Sequence, residues 1–168
     1  MGRLLITLLL VAKGVLPSPL LYLSAWFEAT RADYYARLSA VTERGEWEEW
    51  LGYFLEGAAD QAEDALGRIQ RIDELILSWR KDLAKAPSRL PVRAIELFVE
   101  NPYWTANRLA ERLDVAFTTA QRAIDRLESS GIVALAGEAK RNRVYCARAL
   151  LSILEEPPQL AKLKTAQG

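Results

Sequence analysis

Apolar residues recur at steps of three and four positions through most of residues 20–85. This spacing places apolar side chains on one face of a helix, so we predict helices throughout this range, with breaks near Thr30 and Gly45. The last helix starts at Trp47 as one long element, and Gly57 and Gly67 are the positions at which it would kink. Its predicted apolar stripe, typical of a core or an interface, comprises Trp50, Leu51, Phe54, Leu55, Ala58, Ala62, Ala65, Leu66 and Ile69, continued by Ile72, Ile76, Trp79 and Leu83.

A different pattern starts at Pro91, where the apolar period breaks into shorter segments. It predicts one helix over residues 92–99, a second over 106–113 capped by Thr105, and a third from Phe117 to about Ser130 that ends at Gly131. Two short β-prone runs follow at 132–135 and 143–147, and a last apolar segment at 150–154 closes the module. The expected inward-facing residues of the second and third helices are Leu109, Ala110, Leu113, Phe117, Ala120, Ala123, Ile124 and Leu127.

These elements predict a mainly helical protein that ends in a winged helix, in which a helix-turn-helix is followed by a basic β-hairpin. Charge divides the chain in the same place. Residues 1–86 hold 10 basic and 13 acidic residues, whereas residues 87–150 hold 10 and 7. Pro87 and Pro91 bias their preceding residues away from helix. We therefore predict a helical domain over 1–86, a winged-helix domain over 87–156 and a flexible tail over 157–168.

Composition excludes several classes of enzyme. The chain has no histidine, which removes histidine-based catalytic triads and histidine-ligated metal sites. Its single cysteine, Cys146, forms neither an internal disulfide nor a thiolate cluster, which favours a reducing compartment, the cytoplasm. The acidic residues between 46 and 64 fall mostly on the polar side of the long helix, which is typical of a solvated face. We predict no catalytic residue and no metal site.

The first residues form an apolar run, Leu4 to Leu10, behind a single arginine. Lys13 and the prolines at 17 and 19 argue against a cleaved signal peptide, and the run is too short to span a membrane. We expect an apolar helix ended by Gly14. Because no earlier element of the chain could cover half of it, we also expect a truncated core that exposes apolar surface unless another chain covers it.

The first half resembles the Fic family of protein adenylyltransferases, in the segments GRLLITLLL (2–10), LPSPLLYLSAWF (16–27), YYARL (34–38) and EWEEWLGYFL (46–55). The family motif is His-Pro-Phe-x-Asp/Glu-Gly-Asn-Gly-Arg-x-x-Arg, and residues 1–3 match only its last three positions. By this resemblance Gly2 and Arg3 are the remnant of the nucleotide-binding motif, at the start of the helix that follows its turn. Intact relatives use ATP and magnesium, whereas this chain, without the motif's histidine, acidic residue and phosphate turn, is expected to use neither.

Residues 105–154 resemble the winged-helix module appended to many bacterial Fic proteins, notably in TAQRAIDRL (119–127) and RNRVY (141–145). Ala116 departs from the serine that usually caps the third helix of such modules. The expected partner is DNA, contacted through residues 105–148 by Thr118, Thr119, Gln121, Arg122, Arg126, Lys140, Arg141 and Arg143. Of these, Gln121 and Arg122 are expected to choose the sequence.

We therefore expect the C-terminal portion of a Fic-family protein, a regulator that is not catalytic by itself. Two alternatives stay open. In the first, the chain is part of an adenylyltransferase whose catalytic motif lies upstream of Met1 or on another chain. In the second, its winged helix is a module for dimerisation or protein docking. The partner would then be a second copy of the chain or the missing Fic half, and we expect no membrane partner.

Overall fold

The structure, a computed structural model, describes residues 2–16, 23–84, 88–138 and 141–157. This part of the chain is mainly helical with a small three-stranded antiparallel sheet. It divides into two compact units, one up to Arg68 and the other over Ile69–Glu156. The elements in chain order are α1 (Gly2–Ala12), α2 (Leu23–Ala29), α3 (Arg31–Arg44), α4 (Trp47–Asp82), α5 (Leu90–Glu100), β1 (Tyr103–Thr105), α6 (Ala106–Leu113), α7 (Phe117–Ser129), β2 (Ala134–Leu135), β3 (Val144–Cys146) and α8 (Arg148–Glu155).

An aromatic core holds the first unit together. Leu23, Trp26 and Phe27 of α2 and Tyr53 of α4 are buried. The Thr30 hydroxyl donates to the Trp26 carbonyl at 2.7 Å and therefore accepts from the Tyr53 hydroxyl at 2.6 Å.

The two predicted breaks between helices are confirmed. The helix α2 ends just before Thr30, and the helix α3 ends just before Gly45.

Among the described side chains of the apolar helix α1, some pack on a neighbour and others are exposed. Ile6 and Leu10 contact the aromatic core, whereas Leu5, Leu8 and Leu9 are 57%, 53% and 58% exposed. This agrees with the expectation of an apolar helix whose cover is incomplete. The helix ends ahead of a glycine at φ 71°, in the region that favours glycine, as predicted. Within the described ranges, no helix combines the length and the hydrophobicity needed to span a bilayer.

The long helix α4 continues through Gly57 and Gly67, the two positions at which a kink was predicted, without a break. The predicted apolar stripe is only partly correct, because Leu51, Leu55 and Leu66 are 51%, 63% and 60% exposed. The stripe is wider than the face that the neighbouring side chains cover.

In the second unit, β3 is the central strand between β1 and β2. Tyr145 of β3 is paired with Trp104 of β1 on one side and with Leu135 of β2 on the other. The helices α5, α6 and α7 cover one continuous core that includes Ile95, Leu109 and Ile124. Their predicted bounds are confirmed to within a few residues, as are β2 and β3, whereas β1 was not predicted.

The compact units do not divide at the predicted boundary between residues 86 and 87. The second unit starts at Ile69, inside α4. Trp79 and Leu83 are buried in its core with Phe98, which explains why the end of α4 groups with the short helices. Most of the predicted tail, residues 158–168, lies outside the described residues, as does Pro87.

Candidate nucleic-acid interface

The helices α6 and α7 are joined by a tight turn. The Thr105 hydroxyl accepts from the Arg108 N–H at 3.3 Å and caps α6, as predicted. Asp114 follows α6 with φ 55°, a left-handed conformation that reverses the chain. At the start of α7, Ala116 makes no side-chain cap. The first three residues of α7, which follow this turn, are exposed.

The outer face of α7 carries most of the predicted contacts. Thr118, Thr119, Arg122 and Arg126 are exposed, while Ala120, Ala123, Ile124 and Leu127 are buried, as predicted for the two sides of this helix. One prediction is wrong, because Phe117 does not face inward. It is 50% exposed, since the first residue of α7 lies beyond the end of the core that the later turns cover.

Gln121 is half-buried and already engaged by the protein. Its Nε2 donates to Asp125 Oδ1 at 2.7 Å and to the Tyr145 hydroxyl at 3.2 Å. An amide has two N–H donors, so both are used, and only the carbonyl oxygen is left for a ligand. In this arrangement Gln121 can accept a hydrogen bond from an adenine or cytosine amino group but cannot make the bidentate contact with adenine.

The predicted hairpin residues lie between β2 and β3. Arg141 and Arg143 are exposed, and Asn142 between them has φ 50°. Lys140 lies outside the described residues. Arg148, which follows β3, donates to the Leu135 carbonyl at 3.0 Å and so ties the end of the hairpin together.

The structure distributes the predicted residues between two concave surfaces of the second unit. The first, which we call the hairpin concavity, measures about 430 Å³ and is lined by Thr105, Ala106, Asn107, Phe117, Gln121, Asn142, Arg143 and Tyr145. The second, of about 340 Å³, is lined by Ser88, Leu90, Pro91, Thr119, Arg122, Ala123 and Arg126. The residues expected to choose sequence, Gln121 and Arg122, thus border different concavities.

Charge distinguishes these surfaces from the rest of the outer face. No acidic side chain lines either concavity among the described residues. The exposed carboxylate of Asp125 lies between the two arginines of α7 in sequence, and its contact with Gln121 occupies one oxygen. Sequence reasoning missed Phe117, Asn142 and Tyr145 as lining residues, because they come together only through the fold.

At the other end of the chain, Gly2 and Arg3 form the start of α1, and the Arg3 side chain lies outside what the structure describes. Within the described ranges there is no group of three or more potential ligands able to hold a metal ion. The resemblance to the Fic family, and the expectation that the chain alone transfers no AMP, stay predictions.

A comparison with known protein families found no family model that matches this chain.

Proposed function

We propose that residues 87–156 form a winged helix that binds duplex DNA, and that the chain is a sequence-specific DNA-binding regulator. In this proposal α7 enters the major groove and the β2–β3 hairpin contacts the neighbouring sugar-phosphate backbone. The order α5, β1, α6, α7, β2, β3 supports it, since a capped helix-turn-helix precedes an antiparallel hairpin.

The observation that carries the proposal is the pair of basic surfaces on adjacent elements. Arg122 and Arg126 are exposed on α7, and Arg141 and Arg143 are exposed on the hairpin. Exposed guanidinium groups neutralise phosphates and also make bidentate contacts with guanine.

The two kinds of arginine should fail differently when replaced. Fluorescence anisotropy of labelled duplexes with the full chain measures both affinity and its salt dependence. Arg122→Ala should cost about 1–3 kcal/mol on a selected site and relax discrimination between bases. Arg141→Ala should weaken all duplexes alike and reduce the slope of log K against log salt by about one unit.

Arg31→Ala is the matched control, because it removes an exposed arginine of the first unit that pairs with Glu28 at 3.7 Å. It should leave both quantities unchanged. If the full chain binds no duplex more tightly than about 10⁻⁴ M at low salt, which is weaker than ordinary non-specific binding, the proposal is wrong and the module is a protein-docking element.

A further inference from the structure

Phe117 is the exception on the outer face of α7. Its neighbours on this face, Thr118, Arg122 and Asp125, are polar or charged and exposed. The core of the second unit, as far as the structure describes it, does not include the Phe117 ring. A phenyl ring that is 50% exposed therefore lies at the first turn of the helix, outside the set of buried side chains that form that core.

An isolated exposed apolar residue is common and by itself means little. The surroundings of Phe117 are what make it informative. It lines the hairpin concavity together with Gln121 and Arg143. A cation able to hold a phosphate, a carbonyl oxygen able to accept from a base amino group and an apolar ring thus border one cavity of about 430 Å³.

These three groups match the chemistry of the major groove. Phosphates border the groove, and adenine and cytosine present amino groups there. The apolar group that a base presents in this groove is the 5-methyl of thymine, for which phenylalanine is a known contact. We propose that Phe117 is a specificity-determining residue that recognises a thymine 5-methyl group in duplex DNA. This inference rests on the DNA-binding function proposed above.

Single-stranded nucleic acid is the competing ligand, since aromatic rings also stack on unpaired bases. Such binding uses a series of exposed rings along a groove. The other aromatic residue of the hairpin concavity, Tyr145, is only 3% exposed, and its hydroxyl accepts from Gln121. One ring at a helix end is better suited to a methyl group at the edge of a base pair than to a stack of bases.

The test replaces single thymines by deoxyuridine, which lacks only the 5-methyl group. Duplexes are first selected by the full wild-type chain from a random pool, and each thymine of the selected site is then replaced in turn. At one position we expect binding to weaken about fourfold, the effect of losing one buried methyl-sized group. In Phe117→Ser that thymine and deoxyuridine should bind equally, while the other positions behave as in wild type.

Leu154→Ser is the matched control, because Leu154 is 48% exposed and lies on α8 away from the concavity's lining. It should keep the deoxyuridine effect. If duplexes bind but no thymine methyl matters, or if the effect persists in Phe117→Ser, the inference is overturned while the proposed function stands. Preference for single strands over duplexes overturns it as well. If no duplex binds at all, the proposed function itself fails. The wild-type replacement series needs no variant, so a Phe117→Ser chain that fails to fold leaves the inference testable.

Discussion

At Gly57 the helix α4 lies directly against the Trp26 side chain of α2. A β-carbon at this position would lie well under 3.0 Å from both Cδ1 and Nε1 of Trp26, whose side chain is fully buried. Gly57→Ala should therefore destabilise the first unit by about 1–3 kcal/mol through overpacking, although alanine is the better helix former. Denaturant unfolding followed by tryptophan fluorescence measures this change.

Gly52→Ala is the control for that substitution. Gly52 lies in the same helix, and a β-carbon there meets nothing within 4 Å. Only the helix propensity changes, so the control should stabilise the protein by about 0.5–1 kcal/mol. Equal effects of the two substitutions would contradict the close contact with Trp26.

The single cysteine, Cys146, is 3% exposed in β3. Burial raises the pKa of its thiol above the usual value, and this outweighs the lowering by a Tyr103 hydrogen bond and by the charge of Arg148. Because the folded-state pKa is raised, the folded chain favours the protonated thiol. The stability that this preference contributes is present at neutral pH and is lost as the pH rises through the folded-state pKa. An aromatic disulfide reagent at pH 8 should label the native chain roughly a hundredfold more slowly than the chain in denaturant. Equally fast labelling would show that the sheet does not protect the thiol.

At the scale of an element, α7 lacks the cap that α6 has. Ala116 has φ −63° and ψ 148°, the extended conformation that a capping residue adopts, but no side-chain oxygen. Ala116→Ser should therefore stabilise the chain by about 0.5–2 kcal/mol, which thermal unfolding followed by circular dichroism measures. The reciprocal change, Thr105→Ala, removes the observed cap of α6 and should lower stability by a similar amount. An Ala116→Ser chain no more stable than wild type would mean that the turn does not let the hydroxyl reach the helix.

The short helices were predictable because the residues that end helices and the period of the apolar residues indicate the same bounds. Thr105 and Gly131 mark helix ends by their own chemistry, and the inward residues between them follow a period of 3.6. The strand β1 was not predictable in this way. It has three residues, and its partner strand lies about forty residues further along the chain. The wrong prediction that Phe117 faces inward has a similar cause. The helical period of apolar residues continues to Phe117, but the sequence does not show where the core ends.

At the scale of the whole molecule, helix α4 hides the division between the two units from the sequence. Its apolar stripe is continuous across Arg68 and Ile69, so the pattern carries no signal at the boundary that the structure places there. The helices do become shorter after α4, where one long helix is followed by several short ones. A compact unit, however, is defined by which side chains share a core.

This division predicts which part of the chain folds alone. Trp79 and Leu83 are 5% and 1% exposed in the core of the second unit. Loss of one such large side chain typically costs about 2–5 kcal/mol, a large share of the stability of a small domain. Residues 69–156 should therefore melt cooperatively, whereas residues 87–156, which lack both side chains, should melt at a markedly lower temperature or not fold at all.

Two substitutions in residues 69–156 separate core packing from mere helix length. Trp79→Ala should cost about 3–5 kcal/mol, because the cavity it leaves is buried. Leu77→Ala should cost less than about 1 kcal/mol, because Leu77 is 64% exposed two positions earlier in the same helix. Circular dichroism melts of the four proteins decide the matter. If residues 87–156 are as stable as residues 69–156, the end of α4 contributes nothing to that core.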